Sequence, residues 1–160
     1  MRIGLALRAL HHDENALATE LFHVSQRHGT DHDIHYLARD LAGWSQRHVR
    51  EIADFGPRYG VTLDPAPATE PTLTGRLREK SSELVGRRGE AALLVLRDLR
   101  KVYTEASGVS VDWEMLAQAA QAVRDTDLLA LSQRCHPDTL RQLRWANARI
   151  KESAPQILVS

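Results

Sequence analysis

The chain holds one cysteine, Cys135, among 160 residues, so no disulfide can form within it. A lone free thiol fits a reducing, cytoplasmic compartment. Neither sign of charge is in excess: 21 Lys and Arg stand against 21 Asp and Glu. Nucleic acid is thereby a poor partner, because phosphate binding needs a basic surplus and no helix face collects one. No apolar run approaches the roughly 20 residues a membrane span requires. The stretch Ile3 to Leu10 is short and interrupted by Arg8, which argues against a signal peptide. Also missing are a glycine-rich phosphate loop, a nucleophile elbow and a zinc-type Cys/His pairing. No complete catalytic motif remains, and the reading leans away from an enzyme. Aromatic residues are few, at 5%, while Leu, Ala, Arg and Glu abound, which is helix-forming composition.

Apolar residues recur at helical spacing through most of the chain. A first stripe runs Ile3, Leu7, Leu10, Leu17, Leu21 and Val24, ending at Gly29. A second, opened by Thr30 or Asp31 as cap, runs Ile34, Leu37, Leu41, Trp44, Ile52, Phe55 and Tyr59, ending at Pro57 and Gly60. Pro65, Pro67 and Pro71 make residues 60–72 an extended linker. A third stripe, opening at Thr72 or Thr74, runs Leu77, Leu84, Ala92, Val95, Leu99, Val102 and Ala106. It is apolar all round from Ala91 to Leu96, which predicts a deeply packed middle, and Gly108 is expected to stop it. Asp112 then caps a fourth helix carrying Trp113, Leu116, Ala120 and Val123. Its face rotates at Arg124–Asp127 before Leu128, Leu131, Cys135, Ala146 and Ile150, and Pro137 sits beyond the slip. The fourth helix therefore reads as broken or kinked, with Pro155 as its end.

These elements make residues 1–160 a single all-α domain: a four-helix bundle of two helical hairpins joined by a Pro-rich linker. The linker reaches about 40 Å if extended, close to the second helix's length of about 42 Å. It is long enough to cross the bundle, and an up-down-up-down path remains open. Ile157, Leu158 and Val159 follow the last helix. They predict cover for apolar surface, on the bundle itself or on a twofold partner, so a homodimer is expected.

The two hairpins, the long second connection and a polar core residue on each of the first two helices together resemble the ferritin-like superfamily. Three segments are similar to a group of bacterial ferritin-like four-helix-bundle proteins of unassigned activity: Leu41 to His48 (LAGWSQRH), Gln118 to Leu129 (QAAQAVRDTDLL) and Gln142 to Leu158 (QLRWANARIKESAPQIL). The resemblance implies a fold, and for the superfamily a carboxylate-bridged di-iron site. That site needs a Glu on two helices and Glu-x-x-His on the other two. Glu14 matches the lone Glu of the first helix. His48 is present on the second, but Ser45 stands where its Glu should be; Asp138 and Arg141 occupy the matching places on the last helix. Glu83 and Glu90 lie beside the third stripe rather than on it. A two-metal centre is not expected.

Among the eight histidines, His12, His23 and His35 point away from the apolar stripes, so Glu20-Leu21-Phe22-His23 reads as a solvated face. His28 and His32 flank a turn. Cys135 reads as a small core residue, and Trp44, Trp113 and Trp145 as core or interface anchors. Three polar residues fall on the stripes: Glu14, His48 and Arg88. Buried charges are costly unless paired, so these three are expected to meet as a core polar cluster, with Arg88 supplying positive charge where metal would sit. The function expected is a non-catalytic structural or partner-binding module with a degenerate core site and no cofactor. The alternative is a protein that binds iron or another divalent metal, or a redox protein, using Glu14 and His48.

Overall fold

The computed structural model describes residues 2–72 and 88–160. Four helices dominate it: α1, Ile3–Arg27; α2, His32–Phe55; α3, Arg88–Val123; and α4, Thr126–Leu158. Most of the apolar stripe residues turn inward as one core, with Leu7, Leu17, Leu21, Ile52, Leu99, Leu116, Leu128 and Leu131 fully buried, while Leu37, Ala92 and Val123, expected on the stripes, are exposed. Asp31 caps α2 by accepting a hydrogen bond from the Ile34 amide at 3.0 Å. After α2 a 3-10 turn, Gly56–Tyr59, packs under the start of α1. Gly4 permits that approach: a Cβ there would stand 2.5 Å from the Tyr59 carbonyl oxygen.

Cross-helix bonds set the topology. Ser25 donates to the His35 carbonyl at 2.6 Å, so α1 and α2 form an antiparallel hairpin. Arg27 pairs with Asp98 at 2.8 Å, whereas Trp113 meets Glu14 at 2.9 Å. Residue numbers fall along α3 as they rise along α1, so these helices too are antiparallel. Ser110 and His136 join α3 to α4 at 2.8 Å, and Arg134 and Glu51 join α4 to α2 at 2.8 Å. Helices α2 and α3 therefore run in the same direction, and the chain between them must cross the length of the bundle. Residues 61–72 make the described part of that crossing, beside α1 and α2. His11 Nε2 bonds the Asp64 carbonyl at 2.7 Å, the Ala68 amide donates to Asn15 at 2.7 Å, and Gln46 donates to the Ala68 carbonyl at 2.8 Å. The crossover path is the one adopted.

The third and fourth helices depart from the sequence-based expectation. Gly108 does not end a helix, and Asp112 does not cap one; both lie inside α3. Glycine in a helix costs about 1 kcal/mol against alanine, which packing of Val102, Ala106, Val109 and Trp113 outweighs. The rotation of the apolar face at residues 124–127 is instead the turn between α3 and α4. Arg124 takes a left-handed conformation there, φ 58°. Asp125 caps α4 by accepting from Asp127 and Leu128. Helix α4 runs on through Pro137 and Pro155; Gln133, whose carbonyl Pro137 deprives of a donor, is exposed. The expected third-helix start at Thr74, with Leu77 and Leu84, lies outside the described residues. The stretch Ala91–Leu96 is at most half-buried, not a packed middle. Asp98 already sits at the α1–α2 turn, so the residues before it extend past that turn. Of the tail, Ile157 is half-buried, whereas Leu158 is 64% and Val159 85% exposed, so two of its three apolar residues do not pack on their own bundle.

Left-handed backbone costs a side-chain-bearing residue about 1–2 kcal/mol, part of which glycine gives back through its looser unfolded state. Arg124→Gly should therefore raise unfolding stability by about 0.5–1 kcal/mol. Urea melts of the variant check this, and a loss of stability would contradict it.

Candidate functional site

Halfway along the bundle, α1, α2, α3 and α4 each bring a polar or polarisable side chain to the core. Glu14 comes from α1 and is 0% exposed. It follows Leu10 and precedes Leu17 on the inward stripe, so the register that buries those leucines buries the carboxyl group as well. His48, also 0% exposed, arrives from α2 by the same logic. The hairpin turn puts the two at one level, and His48 Nδ1 lies 2.7 Å from Glu14 Oε1. Trp113 of α3 donates its indole N–H to the same oxygen at 2.9 Å. Its ring meets the imidazole edge-on, with centroids 5.9 Å apart. From α4, Asp138 Oδ2 stands 3.3 Å from His48 Nε2 and pairs with Arg47 at 2.8 Å. Cys135, free and buried, also interacts with the imidazole.

Burial alone would lower the pKa of His48. The Glu14 carboxylate, together with hydrogen bonds to Cys135 and Glu14, overrides it and carries the imidazole up to about 10. At neutral pH both ring nitrogens hold protons and donate, one to Glu14 and one to Asp138. The pair is thus an imidazolium held by a carboxylate in a water-poor interior, a setting in which attraction must repay desolvation.

Of the three residues expected to meet, the structure brings Glu14 and His48 together. The Arg88 side chain lies outside the described residues. Its backbone opens α3, about seven turns or 37 Å from Trp113 along one continuous helix. The third place at Glu14 belongs to Trp113. The displacement comes from the start of the helix: an opening at Thr72 or Thr74 beside the α1–α2 turn would bring Arg88 level with Glu14, whereas it is Asp98 that meets Arg27 and His28 at that turn. Trp113, Cys135 and Asp138 were visible in the sequence as stripe or near-stripe positions. What was lacking was the single long α3 that brings Trp113 level with Glu14.

A di-iron centre does not fit this arrangement. His48 has no nitrogen free for a metal, since Glu14 and Asp138 take both. Ser45, where a ligand Glu would be needed, accepts a hydrogen bond from Gln142 at 2.9 Å. Among the described residues no group of three or more His, Cys, Asp or Glu side chains is placed to hold a metal ion. Glu90 is exposed, and Glu83 lies outside the described residues. Glu14 Oε2 is buried and without a hydrogen-bond partner among the described residues, as are Glu105 Oε2, Thr139 Oγ1 and Gln142 Oε1; of these only Glu14 Oε2 belongs to the carboxylate that holds His48.

A second charged group lines the α1–α3 seam. Glu20 is 4% exposed rather than solvated, and Lys101 reaches it from α3. Burial raises the Glu20 carboxyl, but hydrogen bonds to His23 and Lys101 lower it below its usual value on balance. Glu105, one turn on from Lys101, is pushed up to about 7 by burial, with Glu20 and Asp13 adding to the rise and Lys101 opposing it. His28, beside the turn, pairs with Asp98 at 2.7 Å, while His32 stacks on Tyr36 with centroids 6.3 Å apart.

Two outcomes follow for stability. Glu14→Leu or His48→Leu alone should each cost about 3–5 kcal/mol, because a buried charge loses its partner. The double replacement should cost clearly less than the two losses added. Urea unfolding of the four proteins measures this, and additive losses would contradict the pairing. Glu105 has the opposite sign from a salt-bridged acid. Its folded pKa, about 7, exceeds the ordinary value of 4.5, so the folded state binds the extra proton and stability falls as pH rises through that window. Glu105→Gln should flatten the fall; an unchanged pH profile of melting would contradict it.

No protein-family model, curated protein or solved structure matches the chain, so the site is read from its own geometry.

Proposed function

We propose that this chain is a non-catalytic ferritin-like bundle, acting as a partner-binding module, whose core has exchanged metal coordination for an internal ion pair. The observation that carries the reading is the Glu14–His48 contact of 2.7 Å between two fully buried side chains. A ferritin-like centre needs its carboxylates and imidazoles turned toward metal ions, with the protein supplying the anionic ligands and the ions the positive charge. Here the imidazolium itself supplies that charge. The crossover topology, with α2 and α3 running the same way, agrees with the superfamily architecture. The free thiol at Cys135 agrees with a cytoplasmic home.

The alternative is a protein that binds one iron or other divalent ion through Glu14 and His48. The partnerless Glu14 Oε2 favours it. Such binding requires His48 to lose its proton and turn from Glu14, and its raised pKa opposes both. Metal analysis of protein purified without a His-tag separates the two readings. Well under one iron per chain, with no ferroxidase activity, is expected. One or more irons or other divalent ions per chain, held through gel filtration, would overturn the proposal.

A further inference from the structure

The outer face of α1 bears a self-complementary stripe. Arg2, Ala6, Ala9 and Asp13 follow one another at spacings of four, three and four residues, which places them on one side of a helix. Arg2, Ala6 and Ala9 are exposed and Asp13 is half-buried. Arg2, Ala6 and Ala9 line a groove of about 330 Å³ between α1 and α3, whose far side is formed by Asp112, Met115 and Ala119. Met115 in its lining is 57% exposed, and Leu5, which precedes Ala6 on α1, is 62% exposed. The charges at its two ends are unbalanced within the chain. Among the described residues Arg2 has no carboxylate partner. At the other end Asp13 and Asp112 hydrogen-bond each other, two acids side by side; burial first, then the neighbouring Asp13, raises the Asp112 carboxyl above its usual range.

We propose that this groove docks a second copy of the chain about a twofold axis passing between Ala6 and Ala9. The stripe is symmetric in spacing and opposite in charge at its ends. Laid antiparallel on itself, it sets Arg2 of each copy against Asp13 and Asp112 of the other, and Ala6 of each against Ala9. Small residues at the crossing let the two α1 backbones approach closely, and Met115 and Leu5 lose their exposure on either side. An isologous contact of this kind closes at two copies, because each patch is its own partner. A different protein or a lipid surface has no reason to match a stripe that reads the same from both ends with its charge reversed. The inference rests on the reading of the bundle as a binding module and names its partner. Metal analysis tests that reading, and self-association tests this one.

Sedimentation equilibrium of the full chain at near-physiological salt provides the test. The unmodified chain should be dimeric at micromolar concentration. Arg2→Asp turns the attraction to both acids repulsive at each end, and Asp13→Arg reverses the Arg2–Asp13 contact at each end, so each should weaken dimerisation at least about tenfold. The double charge swap restores an opposite pair at each end, although Asp112 then faces a carboxylate at position 2, and should recover dimerisation in part, to well above either single swap. Ala9→Glu should give a monomer with an unchanged far-ultraviolet circular dichroism spectrum. An unmodified chain that stays monomeric at about 100 μM would overturn the proposal. A dimer indifferent to the single swaps and to Ala9→Glu would do so equally, placing the contact on another face.

Discussion

A carboxylate with no exposure has to be satisfied by the protein, and Glu14 sets that requirement at the centre of the bundle. An unpaired charge there would cost several kcal/mol. Glu14 Oε1 takes two donors, one from α2 and one from α3. Both bonds are directional, so they fix not only which faces of α1, α2 and α3 meet but at what height. Leucines packing on leucines tolerate a slide of one turn; an imidazolium and an indole N–H aimed at one oxygen do not. A single buried acid thereby gives the helices a common register.

That register is reachable because the chain crosses the bundle between α2 and α3. An up-down-up-down path would run α3 parallel to α1 and set its opposite end at the α1–α2 turn, leaving Trp113 away from Glu14. The crossing segment is held by polar bonds rather than by apolar burial. Asn15 and Gln46 grip the two sides of the Ala68 peptide, and Gln26 reaches the Pro71 carbonyl at 3.3 Å. Proline-rich chain has little ordering entropy to lose and few amides to satisfy. It suits a long connection that must lie flat on two helices.

Much of this was legible in the sequence, for identifiable reasons. Residues spaced at three and four disclosed the stripes of α1 and α2, and intrusions of Glu14 and His48 into those stripes disclosed a buried pair. A tight hairpin then made their meeting a matter of counting residues from the turn. The third partner was not legible, because its level depends on where α3 begins and ends. Gly108 reads locally as a stop, yet its neighbours Ala106, Val109 and Trp113 continue one buried face. Residues 124–127 read as a slip in one helix, yet Arg124 and Asp125 have the left-handed backbone and capping side chain of a turn between two. Local propensity lost to tertiary packing in the first case and was misassigned in the second. The long-range step from Glu20 to Lys101 was hidden for the same reason: nothing local to Glu20 marks a partner on a helix far along the chain.

The central claim is that the core holds a proton-bearing imidazole as its cation. Long-range nitrogen–proton NMR spectra of the His48 ring test it most directly, because they report each ring nitrogen separately. With its pKa carried to about 10, His48 should show both nitrogens protonated and no titration from about pH 5 to about pH 9. A ring that loses its proton with a midpoint near the ordinary value of 6.5 would contradict the account.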